Sequence, residues 1–239
     1  MTSLNSDKKP KIVVVIPAYN EEGSIGKVVN DIPKEWVSDV IVCSNNSNDK
    51  TVEVAKRAGA IVLEENQKGY GWACMKGINF ANQMNVKPDI IVFLDGDYSD
   101  YPQELPLVVQ PIIERNMDLV IGSRALGEQE SGSMTFPQRF GNWLSTRMMR
   151  FFYGVKYSDL GPFRAMKFDR LLKLNMSEMT FGWTIEMQIK AAKHNMNSCE
   201  VPVNYKVRIG DSKVSGTVKG AVMAGIKIIW SIFKYKFVK

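Results

Sequence analysis

One histidine, His194, serves the whole 239-residue chain. It lies in a polar stretch, so histidine-based catalysis or metal binding has almost nothing to work with. Cysteines are as scarce. Cys43, Cys74 and Cys199 stand far apart, with neither a disulfide framework nor metal-ligand spacing. A reducing cytoplasm is the expected setting. No uncharged apolar run reaches about 18 residues, so no membrane-spanning helix is expected. Met1 to Lys11 is polar and lacks the apolar core of a secretory signal. Acids are missing from residues 217–239, which carry five lysines. The whole chain has a net charge of +6, which suits an anionic ligand or surface. With 45% hydrophobic residues at this length, a sizeable core is available.

What is present alternates. Ile12–Ile16 is a continuous β-branched run, read as a strand buried on both faces and stopped by Pro17. A helix follows from about Ser24, with Ile25, Val28, Val29 and Ile32 on one face. Further strands are expected at 39–43, 60–63, 89–94 and 118–121, and helices at 51–58 and 69–84. A helix over 102–115 is expected to break at Pro106 or Pro111. This alternation predicts an α/β fold, with a mainly parallel, Rossmann-like sheet and helices on both faces. Ligands then bind beyond the carboxyl ends of the strands. Asn20 and Glu21, Ser44 and Asn45, and Asp95 and Asp97 all fall at such ends.

The second half reads differently. Residues 123–140 are rich in glycine and serine and read as a mobile loop. A helix is expected over 142–152, a tight turn at 159–164, a helix over 181–195, a strand over 199–207 and a basic loop over 206–216.

Asp95-Gly96-Asp97 ends the apolar run Ile90–Leu94. Carboxylates ending a buried strand call for a positive partner. A hard divalent cation carrying a phosphorylated ligand fits them.

Several motifs follow one another at fitting distances. They are Val-Ile-Pro-Ala-Tyr-Asn-Glu-Glu (15–22), the Asn-rich loop 44–49, Asp95-Gly96-Asp97 and Ile-Gly-Ser-Arg (121–124). Asp-Leu-Gly-Pro-Phe-Arg-Ala (159–165), Gly-Trp-Thr-Ile-Glu (182–186) and Glu-Val-Pro-Val (200–203) complete the set. In this ordered set the chain resembles the family 2 glycosyltransferases of the GT-A fold, over roughly residues 11–216. Within them it looks most like the dolichyl-phosphate mannose synthase and polyprenyl-phosphate glucosyltransferase branch.

The resemblance implies a nucleotide diphosphate sugar as donor and Mg²⁺ or Mn²⁺ as cofactor. Asp97 is then the first choice as metal ligand, with Asp95 on the metal or the ribose. Where the branch often carries a glutamine, this chain has Ser99, which leaves Asp100 or water as a third ligand. Pro17, Ala18, Tyr19, Glu21 and Gly96 are expected around the nucleoside. Asn45 stands where relatives carry an acid and offers a donor and an acceptor to a base edge. Asp49 matches the family's later aspartate or caps a helix, and Lys68 is read as a contact to the nucleotide. Arg124, Arg208 and Lys213 are expected at the donor diphosphate, and Arg139 at an acceptor phosphate. Asp159 is expected to position acceptor or sugar, and Trp183 to pack on the sugar. Glu186 is read as a catalytic acid or an internal ion pair. An acceptor phosphate is already anionic near neutral pH, so no strong base is required.

Val222, Ile226, Ile229 and Phe233 recur at helical spacing in 217–239, with lysines roughly opposite. This predicts a basic amphipathic helix, lying on an anionic membrane or packed on protein. The expected activity is metal-dependent, inverting transfer of a hexose to a polyprenyl phosphate, with UDP-sugars favoured over GDP-sugars. A peripheral position on the cytoplasmic membrane face goes with it, and no nucleic-acid partner. Competing readings are a soluble or saccharide acceptor, and a silent nucleotide-sugar binding module.

Overall fold

In the computed structural model, which describes residues 9–210 and 218–237, β1 (Ile12–Ala18) is buried along its whole length. Val13 and Val15 face one side of the sheet, while Ile12, Val14 and Ile16 face the other. Each side meets its own hydrophobic core, which is why the run shows no polar alternation. Pro17 does not stop this strand. It pairs in register with Cys43, because a proline at a strand's end gives up little of the ladder.

Chain order continues with α1 (Ile25–Asp31), β2 (Asp39–Ser44), α2 (Thr51–Arg57), β3 (Ile61–Glu64), α3 (Tyr70–Gln83) and β4 (Ile90–Phe93). A 3₁₀ turn at Pro102–Glu104 leads into α4 (Leu105–Glu114). Neither proline breaks α4. Pro106 lies in the first turn, where an N–H is not needed, and Pro111 is carried inside. β5 (Leu119–Ser123) follows.

α5 (Phe136–Tyr153) begins well inside the stretch expected to be a loop. Its start is a capping box between Thr135 and Gln138, with a proline in the first turn. β6 (Arg164–Lys167) and α6 (Phe168–Lys173) were not expected from the sequence. α7 (Trp183–Lys193), a shorter β7 (Ser198–Pro202) and α8 (Val218–Phe237) complete the order.

The sheet order is β3-β2-β1-β4-β6-β5-β7. All neighbours are parallel except β6, which runs antiparallel between β4 and β5. The chain moves outward from β1 to β3, then returns to β4 on the other side of β1. That reversal opens a crevice at the carboxyl ends of β1 and β4.

α8 is amphipathic in an unusual sense. Ser231, Ile232 and Tyr235 are buried against the body, where α8 meets α5 and α7. Met223, Ile226, Trp230, Phe233 and Phe237 point outward. No helix among the described residues is long and apolar enough to cross a membrane.

Candidate active site

A cleft of about 360 Å³ lies at the β1/β4 crevice. Pro17, Ala18, Tyr19 and Glu21 wall it from the end of β1. Asp95, Gly96 and Asp97 form its floor beyond β4, and Asn45, Lys68 and Arg208 line it from other loops. The structure thus brings these ten expected residues to one place. Lys213 lies outside the described residues. Tyr70, Thr180 and Phe181 also line the cleft and were not expected. The 180–181 pair precedes a recognised motif by one residue, but nothing local marks it as a wall.

The floor is electrostatically tight. Asp97 Oδ1 accepts from the Ser99 N–H at 2.9 Å and from its hydroxyl. Ser99 is fully buried, so it aims Asp97 rather than offering itself as a ligand. Asp97 Oδ2 meets Arg208 Nη1 at 3.2 Å, and Arg208 Nη2 meets Glu21 Oε1 at 3.2 Å. Arg208 thereby ties the β1 loop to the acidic pair. Asp95 Oδ1 accepts from the Tyr70 hydroxyl at 3.0 Å. Burial, and after it the Asp97 charge, raises the Asp95 pKa to about 6. Asp100 is buried, with neither carboxylate oxygen hydrogen-bonded, and burial raises its pKa well above the usual range. Asp95 and Asp97, whose charges act on one another, fit a hard dication. No third acid, histidine or cysteine converges with them among the described residues.

Several expected roles change. Asn45 lines the cleft, but its amide donates to Gln67 O at 2.6 Å and its oxygen accepts from Gly69 N at 2.8 Å. It fastens the β3–α3 loop and has no free edge for a base. Asp49 takes Thr51 N at 3.0 Å and Glu22 N at 3.1 Å, which makes it the start of α2. The Gly69 N–H is taken up by Asn45 Oδ1. A Cβ at Gly69 would collide with the Met179 backbone and one at Gly71 with the backbone of Glu178 and Met179, and Gly69 has φ +148°. Their smallness lets the 176–182 segment cross α3.

Trp183 does not reach the cleft. It is 1% exposed and packs edge-on against Phe93 at 6.2 Å, in the core below. Glu186 is fully buried. Its carboxylate accepts from Ser177 N and Oγ, Glu178 N, Tyr235 Oη and Lys190 Nζ. Burial alone would raise its pKa; these bonds outweigh burial and lower it. Glu186 is therefore an internal tie and not an acid facing substrate.

A second cavity has a volume of about 440 Å³. Arg139, Asn142, Trp143, Ser158 and Asp159 line it. Asp159 is 1% exposed and gripped by Arg124: Nε to Oδ2 at 2.8 Å, Nη2 to Oδ1 at 2.7 Å, and the Arg124 N–H to Oδ2 at 2.8 Å. Asp159 positions Arg124, and its oxygens are not free to position a ligand. The guanidinium also lies 5.0 Å from the Tyr205 ring. Burial pulls the Arg124 pKa down, but the Asp159 charge and hydrogen bonds overcome it and raise the value. Arg164, fully buried, donates to the carbonyls of Leu160, Gly161 and Thr184 and so holds the 159–163 turn in place. Burial lowers its pKa to about 10.

The model for glycosyl transferase family 2 matches residues 13–174. This chain is a family 2 glycosyltransferase. The glycosyltransferase is 31% identical to an uncharacterised protein of Methanocaldococcus jannaschii, over 98% of this chain and 96% of that one. It is 32% identical to a dolichyl-phosphate hexose transferase of Haloferax volcanii, over 89% of this chain and 90% of that one. Among solved structures it resembles glucosyl-3-phosphoglycerate synthase from Mycobacterium tuberculosis, crystallised with Mn²⁺, UDP and phosphoglyceric acid. That match has TM-score 0.76 and 20% identity, over 98% of this chain and 81% of that one. At that identity the likeness speaks for the shared GT-A architecture.

Proposed function

We propose that this glycosyltransferase transfers a hexosyl unit from a UDP-sugar to a polyprenyl phosphate, with Mn²⁺ or Mg²⁺ held by Asp95 and Asp97. The observation that carries the reading is the acidic floor of the β1/β4 cleft, set among cationic side chains, together with a second cavity that also carries a cation. The first has Asp95 and Asp97 with Lys68 and Arg208 at its walls, and the second carries Arg139 and Asp159, the partner of Arg124. The Arg124 charge is felt at Asp95, so this residue sits electrically between the two.

The donor lies in the β1/β4 cleft, with its nucleoside along Pro17–Tyr19 and its diphosphate toward Asp95, Asp97 and Lys68. Asp95 and Asp97 would hold the dication, which would supply charge neutralisation for the diphosphate leaving group. Arg208 Nε is buried with no hydrogen-bond partner, and a diphosphate oxygen would satisfy it. The acceptor phosphate enters the second cavity near Arg139. Its oxygen attacks the anomeric carbon from the side opposite the nucleotide, which inverts that centre. The nucleophile is already an anion, so the protein's task is alignment and charge stabilisation. The saturation of Asp159 by Arg124 agrees with a mechanism that needs no carboxylate base there. The name of the Haloferax relative supports the acceptor class, and the ligands of the mycobacterial structure support the donor and metal. Such an acceptor places the protein peripherally on the cytoplasmic membrane face.

The test is a donor screen with UDP- and GDP-sugars, Mn²⁺ and a polyprenyl phosphate in detergent. A sugar-lipid should form from a UDP-sugar, and Asp97→Ala should lower kcat by about a hundredfold or more, since the metal supplies several kcal/mol. No sugar-lipid with any donor sinks the proposal. Transfer only to water-soluble phosphates would favour the soluble-acceptor reading.

A further inference from the structure

α5 exposes a stripe that a water-facing helix would not carry. Phe136, Phe140 and Trp143 lie at i, i+4 and i+7 on its outer side, with ring centroids 6.4 and 5.8 Å apart. Phe136 is 80% exposed and, two turns past Trp143, Phe151 is 82% exposed. α8 repeats the pattern with Met223, Ile226, Trp230, Phe233 and Phe237, the last 82% exposed. The two stripes meet where Phe152 touches both Phe151, at 5.0 Å, and Phe233, at 5.3 Å. The Tyr153 hydroxyl bonds Ile232 O at 2.6 Å and Lys236 Nζ bonds Phe152 O at 2.9 Å, which locks the helices side by side. Neither helix contains an aspartate or glutamate. Arg139, Arg147 and Arg150 flank the first stripe, and Lys234 and Lys236 the second. Arg147 stacks on Trp143, and Lys227 and Lys234 both stack on Trp230.

We propose that α5 and α8 together form one docking face for an anionic lipid bilayer, with the aromatic rings at headgroup depth and the arginines and lysines on lipid phosphates. A contiguous apolar patch of this kind marks an interaction surface. Its composition, aromatics ringed by cations with no acid, suits a charged membrane interface better than a protein partner. Trp143 belongs both to the stripe and to the wall of the second cavity, and Arg139 lines that cavity too. Docking therefore sets the mouth of the acceptor cavity against the headgroups. The face gains its purpose from the polyprenyl-phosphate reading, on which this inference rests for its meaning but not for its geometry.

The experiment compares wild-type protein with Phe136→Ser/Phe140→Ser and with Trp230→Ser/Phe237→Ser in co-sedimentation with phosphatidylcholine vesicles, with and without phosphatidylglycerol. Circular dichroism and UDP-induced thermal shifts check folding and the donor site. Wild type should bind the anionic vesicles, lose binding as salt rises, and show a blue-shifted tryptophan emission. Each double variant should bind at least tenfold more weakly while keeping its UDP response. Wild-type binding by both variants overturns the proposal. So does a wild-type dimer that the same substitutions dissociate, which would assign the face to a second copy. Failure of the acceptor reading shows separately, as no sugar-lipid in detergent while vesicle binding persists.

Discussion

Asp159 and Arg124 are joined by three hydrogen bonds, two of them in the forked side-chain pairing that suits a carboxylate. At 1% exposure Asp159 has no water to fall back on if the pair is broken. Asp159→Asn leaves the Arg124 charge without its partner, and such losses cost about 3–5 kcal/mol. Urea unfolding should show a loss of that order, along with impaired transfer. A variant that unfolds like wild type yet loses kcat would instead make Asp159 a reacting base. Trp183 is a simpler case. Its place after a glycine in a recognised motif said that it mattered, and its size invited a sugar-stacking role. Only the packing of Phe93 above it shows that it fills the core. Tyr70 went unnoticed for the converse reason, because its hydroxyl meets Asp95 across a separation no local pattern encodes.

Helix α8 works on two sides. Its inner side holds the segment that walls the donor cleft: Lys227 pairs with Glu178 at 3.1 Å, and the Tyr235 hydroxyl meets Glu186 at 2.6 Å. Glu178 in turn accepts from the Thr180 N–H at 3.0 Å, and Thr180 lines the cleft. Lys227→Ala should therefore loosen a wall that it never touches. KM for the donor is expected to rise about tenfold, equivalent to roughly 1.4 kcal/mol, with kcat little changed. An unchanged KM in steady-state assays would show that the wall stands without α8. The same network sets an acid limit. The folded pKa of Glu186 lies below its ordinary value of 4.5, so its contribution is complete above that value and is lost as pH falls through the folded one. Glu186→Gln should flatten the decline in stability between about pH 5 and 3, read by thermal denaturation across pH. An equally steep decline would move the limit to other carboxylates.

Over the whole molecule, the parallel half of the sheet was legible because buried parallel strands write themselves as unbroken apolar runs, as in Ile12–Ile16 and Ile90–Leu94. The convergence of the first three loops followed from that topology. β6 escaped because Arg164-Ala165-Met166-Lys167 is short, begins and ends with charge, and owes its strand form to neighbours on both sides. A helix over 142–152 was expected, but the first turns of α5 escaped because its capping box hides in a run of glycines and serines. A ligand that binds only the native state raises stability by mass action. UDP at a hundredfold excess over its dissociation constant, compared at one fixed Mn²⁺ concentration, should add about 2.7 kcal/mol and raise Tm by roughly 5–10 °C. GDP should do less, and an equal response to GDP in a thermal-shift assay would remove the preference for uracil.

The antiparallel β6 also governs when the molecule can close. Its strand lies between β4 and β5, both of which leave the ribosome before it does. Until Arg164–Lys167 is made, β4 offers an open apolar edge carrying the future acidic floor at its end, and β5 has nothing to join it to the rest. The sheet is completed by a late insertion that must compete with edge-to-edge pairing between nascent chains. The acidic pair of the cleft is thus anchored on a strand that the chain's second half must arrive to protect.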